Sequence, residues 1–212
     1  LSFKSHISKA AAKANRTLGV IRRSFHHLDR ESFTRLYKSM VRPAFEYGQS
    51  VWQPKLKYLR TEIEAVQRRA TKLISDFKND PYQERLRKFS LPSLEYRRIR
   101  GDMIDTYKYV HKVYKVSEPH FPPTRNEKTR GNPYKIDTPI AGSIRSKFFA
   151  RRIIASWNSL PDQVVTAPSV NSFKSRLDQH WRNHEVRYNP TCYQQKAHEY
   201  PLFFYWSPYS ER

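Results

Sequence analysis

A single cysteine, Cys192, leaves this 212-residue chain without an intramolecular disulfide or a Cys-rich zinc module. That scarcity fits a reducing compartment. Five glycines nearly exclude a phosphate-cradling loop, and no G-x-G-x-x-G, P-loop or G-x-S-x-G motif occurs. No apolar run approaches the ~20 residues that a membrane span requires. The opening stretch LSFKSHISKAAAKANR lacks the uninterrupted apolar core of a signal peptide, so the expected location is nuclear or cytoplasmic, not secreted. It is Ala- and Lys-rich and acid-poor, as transit peptides are. It begins with Leu, however, and the chain is expected to be a piece of something longer. Acids are scarce as well: 19 Asp plus Glu face 40 Lys plus Arg, a net charge of +21. A polyanion neutralises such repulsion best, which makes nucleic acid the expected partner and leaves a membrane surface without further support.

Apolar side chains are sufficient for a core, with 38% hydrophobic residues, twelve Phe, fourteen Tyr and four Trp. Their spacing predicts a mostly α fold: a bundle of four to five helices, a Pro-rich linker, and two further helices. Residues 1–116 form the expected basic helical domain, with 26 basic side chains against 11 acidic ones. Helix one runs over about 5–25, with Ile7, Ala11, Ala14, Leu18, Ile21 and Phe25 inward and Lys9, Lys13, Arg16 and Arg23 on its back. Asp29 is the expected N-cap of helix two, which buries Phe33, Leu36, Tyr37 and Met40, turns Arg35, Lys38 and Arg42 outward, and ends or kinks at Pro43. EYGQSVWQPK reads as a loop anchored by Trp52. In EIEAVQRRATKLISDF the apolar stripe Leu59, Ile63, Val66, Ala70, Leu73, Ile74 and Phe77 opposes Arg68, Arg69 and Lys72. A helix near 93–115 buries Ile99, Met103, Tyr107, Val110 and Tyr114 and shows Arg97, Arg98, Lys108, Lys112 and Lys115. Residues 117–142, with five prolines, read as a linker or long loop. Residues 143–185 form a helical hairpin around Phe149, Ile153, Trp157, Val170, Phe173, Leu177 and Trp181, and 186–212 an irregular aromatic tail.

A basic helix back is usually plain solvation, with acids interspersed at four-residue spacing. Here helix one carries no acid between Lys4 and Arg23, and the basic back recurs on four helices. Lys9, Lys13, Arg16, Arg23, Arg68, Arg69, Lys72, Arg97 and Arg98 are therefore the candidate contacts to nucleic-acid phosphates. Such contacts grip without reading sequence and weaken with salt.

Catalytic candidates are few. Two-metal chemistry needs clustered carboxylates, yet the chain has no Asp-Asp pair. Asp102 with Asp105, in GDMIDTYK, sits among arginines and reads as ion pairing; Asp76 with Asp80 is the other close pair. His180 and His184, in HWRNH, have zinc-compatible spacing, but a third ligand would have to be Cys192, His198 or another residue, so they read as histidines edging the Phe173 and Leu177 face. No cofactor is expected in this chain.

The blocks SHISKAAAKANRTLGVIRRSF, FTRLYKSMVRPAFEYGQSVWQP, IEAVQRRATKLI and LPSLEYRRIRGDMIDTYK resemble, in unbroken order, the region after the catalytic core in reverse transcriptases of LINE-type, non-LTR retrotransposons, jockey-like elements in particular. SKFFARRIIASWNSLPDQVV and SVNSFKSRLDQHW resemble the C-terminal end of the same polyproteins. The resemblance covers residues 1 to about 183. It implies a thumb-like helical region lying against template–primer nucleic acid: an RNA–DNA hybrid, or an RNA or DNA backbone. The rest of the polymerase would be a further partner. The family's catalytic Asp-Asp motif, and the Mg the full polymerase needs, match no position here, so the isolated chain is expected not to be an enzyme. Two other readings stay open: a structural module completing the fold of an absent polymerase core, and a residual nuclease or polymerase activity.

Overall fold

The computed structural model describes residues 3–52, 54, 56–115, 133–137 and 149–191, with backbone alone at 150 and 151. Among them are eight α-helices and no β-strand: α1 (Lys4–Ser24), α2 (Arg30–Leu36), α3 (Lys57–Ala70), α4 (Tyr82–Lys88), α5 (Leu94–Val110), α6 (Phe149–Asn158), α7 (Asp162–Val165) and α8 (Val170–His180). The chain is mostly α, as its periodicity predicts. Two compact units divide it. The first holds the described residues up to Arg98 and those from Glu185 to Thr191; the second holds those from Ile99 to His184. The division thus falls inside α5, upstream of the boundary expected near residue 116.

In the first unit, α1 buries Ile7, Ala11, Ala14, Leu18 and Ile21, one residue per turn of a single stripe. Asp29 caps α2 by accepting the Ser32 backbone N–H at 2.7 Å. Pro43 has no N–H to give, and its ring would meet the carbonyl four residues back. The chain responds by widening into a π-turn over Tyr37–Val41, where the Arg42 N–H reaches the Tyr37 carbonyl, and then tightening into a 3-10 turn over Arg42–Phe45. The widening rotates the register. Val41 takes the buried position expected of Met40, which is 50% exposed. The indole N–H of Trp52 donates to the Tyr47 carbonyl at 2.6 Å, so the loop after Phe45 is anchored as expected.

Helix α3 buries Leu59, Ile63, Val66 and Ala70 and stops there, shorter than the apolar stripe that continues through Ile74. Arg85 braces that end. From α4 its buried guanidinium donates to the Thr71 hydroxyl at 3.1 Å and to the Asp80 carbonyl, placing a cation against the negative end of α3. The sequence pattern misses α4 because Pro81 and Pro92 bracket only seven helical residues, and an arginine occupies an inward position. Phe33, Phe77 and Phe89 close the core above it, with ring centroids 5.1 and 5.4 Å apart. The start of the expected tail joins this unit: the Ser93 hydroxyl donates to the Val186 carbonyl at 2.6 Å, and the Ser93 N–H to the Arg187 carbonyl at 2.7 Å.

The second unit centres on Trp157, Phe173 and Tyr107, all buried. Tyr107 stacks on Phe173 at 4.4 Å and donates its hydroxyl to the Ala167 carbonyl at 2.6 Å. Part of the expected linker is held here. Asn158 makes a two-way pair with the Ile136 backbone at 2.9 Å in each direction, and the Trp157 N–H donates to the Tyr134 carbonyl at 2.7 Å. Helix α5 ends before the expected residue 115. Lys112 adopts a left-handed conformation (φ 56°) and the Val113 N–H returns to the Lys108 carbonyl, a C-terminal stop that leaves Tyr114 outside the core. The parts of the expected helix near 144–159 before Phe149, and the tail beyond Thr191 with Cys192 and His198, lie outside the described residues.

Trp157→Ala removes the largest fully buried side chain among the described residues together with its hydrogen bond. Urea unfolding should show a loss of about 3–5 kcal/mol, and amide exchange should rise in α6 and across 133–137. An unchanged midpoint would contradict this packing.

Candidate nucleic-acid interface

Two hydrogen bonds set the register of the basic helices. The Ser8 hydroxyl donates to Glu62 at 3.0 Å, and the Arg69 guanidinium donates to the Asn15 side-chain oxygen at 3.0 Å. Each pair is 54 residues apart in sequence, and the pairs lie two turns apart on both helices. Helices α1 and α3 therefore run parallel and side by side. Ser8 and Asn15 sit on the flank of α1 that meets α3. Opposite the buried stripe, at 100° per residue, Lys9, Lys13, Arg16 and Arg23 fall within about 80° of one another. All four are exposed. At 1.5 Å per residue they extend over roughly 21 Å, a length of duplex that carries about six phosphates on each strand.

Arg68 and Arg69, in the last turn of α3, and Lys72, just past its end, continue this surface, and all three are exposed. Arg69 reaches toward α1. Arg68 turns the other way, its guanidinium 5.1 Å from the Tyr82 ring centroid. No described carboxylate comes within ion-pair distance of any of these seven side chains. Arg22 extends the group and was not among the expected contacts. It lies one heptad beyond Asn15 on the α3-facing flank and is exposed; continuing the Ser8–Asn15 step by seven would have found it.

The outward arginines expected on α5 are not there. Arg98 is 3% exposed and pairs with Glu95, itself buried. The cause is the first turn of α5, where Leu94, Glu95 and Arg98 all turn into the first unit's core. Arg97 is half-buried and bonded to Glu46, a carboxylate that Arg42 approaches as well at 3.1 Å. Neither belongs to the cationic surface. Arg42, expected outward, is held inward by the same carboxylate. Lys108 points at the Asp105 carboxylate (3.9 Å) and the Tyr114 hydroxyl (3.0 Å). The shared surface is thus built by α1 and α3, not by four helices.

Part of it has a structural explanation. Arg22, Arg23, Arg68 and Arg69 occupy the last turns of two parallel helices, where cations offset the helix dipole by about 0.3–1 kcal/mol each. Lys9, Lys13 and Arg16 lie mid-helix, where the dipole gives no such return.

Beneath α3 runs a buried polar network. Glu64 accepts the Tyr82 hydroxyl at 2.6 Å and the Leu94 N–H at 3.1 Å, and the Tyr37 hydroxyl donates to Gln67 at 2.6 Å. Burial pushes the Glu64 carboxyl up, against the lowering effect of the Tyr82 bond, and pushes the Tyr82 and Tyr37 phenols well up.

Three carboxylates of the two close acidic pairs are engaged by other side chains. Asp102 is clamped by both arms of Arg152 at 2.8 Å each, the ion pairing expected of it, and Asp105 accepts the Tyr114 hydroxyl at 3.1 Å. Asp80 holds Lys88 at 2.7 Å. His184 packs on the Trp181 ring at 5.5 Å, and no group of three metal-ligating side chains occurs among the described residues. Nor does any described helix have the length and apolarity to cross a membrane. No protein-family model, curated protein or solved structure matches the chain.

Chemical denaturation separates the two classes of arginine. Arg98→Ala leaves the buried Glu95 with only the longer approach of Arg60, at 3.9 Å, and should cost about 3 kcal/mol or more, whereas Lys13→Gln and Arg16→Gln should each stay within about 0.5 kcal/mol. Equal effects would place Arg98 at the surface after all. The raised Glu64 carboxyl makes a separate prediction. A carboxyl whose folded value is raised contributes stability below its ordinary value of 4.5 and loses it as pH climbs through the folded value. The stability of the native chain relative to Glu64→Gln should therefore fall as pH rises from 4 toward neutrality; a flat difference would mean that Glu64 titrates normally.

Proposed function

We propose that this chain grips the backbone of nucleic acid through α1 and α3, as the thumb-like C-terminal part of a LINE-type, jockey-like reverse transcriptase would. The observation that carries the reading is the acid-free back of α1. Lys9, Lys13 and Arg16 stand exposed and unpaired with any described carboxylate, in line with Arg23 and beside Arg69 and Lys72. Phosphates along a duplex groove supply the missing counter-charge, and the roughly 21 Å length of the row suits a rod better than a compact anion. The ligand would be the template–primer: an RNA–DNA hybrid, or an RNA or DNA backbone. On this reading the chain adds grip and no chemistry of its own; carboxylates elsewhere in the polymerase would hold Mg.

A second reading, in which the helices complete the fold of an absent polymerase core, is favoured by Met40, an apolar side chain left 50% exposed by the π-turn.

Fluorescence anisotropy on a labelled RNA–DNA hybrid tests the first. With six or more phosphates engaged, affinity should fall roughly 10³- to 10⁵-fold between 50 and 200 mM salt. The triple variant Lys9→Gln, Lys13→Gln, Arg16→Gln should bind more weakly and lower the log–log salt slope by about three, while unfolding as the native chain does. Binding that ignores salt, or a triple variant with native affinity, would refute it. A Met40→Asp variant that keeps full hybrid affinity but fails to associate with a supplied polymerase core would favour the second.

A further inference from the structure

Tyr47 is the most exposed large apolar side chain of the described residues, at 86%, and its neighbour Val51 stands 70% exposed. A lone surface tyrosine needs no explanation. This one differs in how its backbone is held. Its N–H bonds the Pro43 carbonyl at 3.2 Å, and its carbonyl accepts the Trp52 indole N–H at 2.6 Å. Gly48 follows in a left-handed conformation (φ 61°), and Trp52 lies beneath it, 4% exposed. The ring is thus carried on a fixed turn and left in water.

The turn's position supplies the rest. The Trp52 ring lies 5.0 Å from that of His6, on the first turns of α1. In projection His6 is about 20° from Lys13, so the tyrosine turn borders the Lys9–Lys13 end of the cationic row, on the side away from α3. The adjacent carboxylate, Glu46, is already engaged by Arg97 and Arg42 and does not repel an anion approaching this edge.

We propose that Tyr47 is a stacking platform for an unpaired base, so that the ligand of this surface is a duplex with a single-stranded extension. A duplex end hides its base faces except at the terminus, whereas a single strand offers every face, and aromatic stacking beside a basic track is the physical basis of strand binding without sequence preference. The inference rests on the backbone reading above and adds the form of nucleic acid that is preferred.

The test compares a blunt RNA–DNA hybrid with the same hybrid carrying a short overhang that contains 2-aminopurine. The native chain should bind the overhang form more tightly and quench its fluorescence. Tyr47→Ala should lose roughly ten- to hundredfold on the overhang form, keep native affinity for the blunt hybrid, and lose the quench; Tyr47→Phe should retain all three. The ring's exposure means neither variant should alter thermal unfolding, which serves as the control. Equal loss on both forms, or no loss on either, overturns the stacking role while leaving backbone binding intact. Absence of binding to both forms by the native chain overturns the two together. Self-association that disappears in Tyr47→Ala, with nucleic-acid binding unchanged, would assign the turn to a protein contact and overturn it as well.

Discussion

Parallel packing of α1 on α3 governs where the positive charge of the first unit can go. Each helix has one apolar stripe and must bury it. Once Ile7 to Ile21 and Leu59 to Ala70 join the same core, the remaining arc of each cylinder is determined by geometry. The Ser8–Glu62 and Arg69–Asn15 bonds then lock the axial register. Because the helices are parallel and share this register, α3 ends level with Arg16, so Arg68 and Arg69 stand beside the middle of the α1 row and Arg22 and Arg23 follow roughly 10–12 Å further along. Such a concentration of cations is tolerable in high dielectric, where each pair of exposed charges several ångströms apart costs on the order of 1 kcal/mol or less. In the core it would not be.

That contrast explains the fate of the other arginines. Arg85 and Arg98 are buried, and each is met by an acceptor: carbonyls and the Thr71 hydroxyl for Arg85, the Glu95 carboxylate for Arg98. Glu95 and Arg98 remain incompletely satisfied, since Glu95 Oε1, which Arg60 approaches only to 3.9 Å, and Arg98 Nε and Nη1 have no hydrogen-bond partner among the described residues. A buried pair of this kind is expensive to break and gives little net stability when whole. Its value is positional. It seats the first turn of α5 beside Glu64, whose carboxylate caps that turn through the Leu94 N–H. In the second unit the Arg152–Asp102 and Arg100–Asp178 clamps each tie α5 to another helix with two parallel bonds. Acids here serve as internal fasteners, which leaves few to neutralise the outer lysines.

Much of this could be read in the chain. Most of the helices and their inward stripes, the Asp29 cap, the Trp52 anchor and the Asp102 ion pair follow from spacing and residue type, because those signals are local; Phe25, expected inward, lies just past the end of α1 and is 45% exposed. The misreadings share a different origin. Met40 and Val41 exchanged places because Pro43 forced a π-turn, and no single-period pattern survives a change of turn width. Helix α4 escaped notice because it is only seven residues long and turns Arg85 inward to meet the end of α3, a contact between distant elements.

The cationic candidates divide along the same line. Lys9, Lys13, Arg16 and Arg23 lie on a long helix whose inward stripe is unambiguous, so its back is unambiguous too. Arg97 and Arg98 lie at the start of α5, where the neighbours that would bury them come from other elements. Composition and periodicity determined that this protein is helical, strongly basic and supplied with amphipathic rods, since each depends on residues within a few turns of one another. Only tertiary structure decided which of those basic backs share a surface, because whether a guanidinium meets water or a carboxylate is settled by what packs against it.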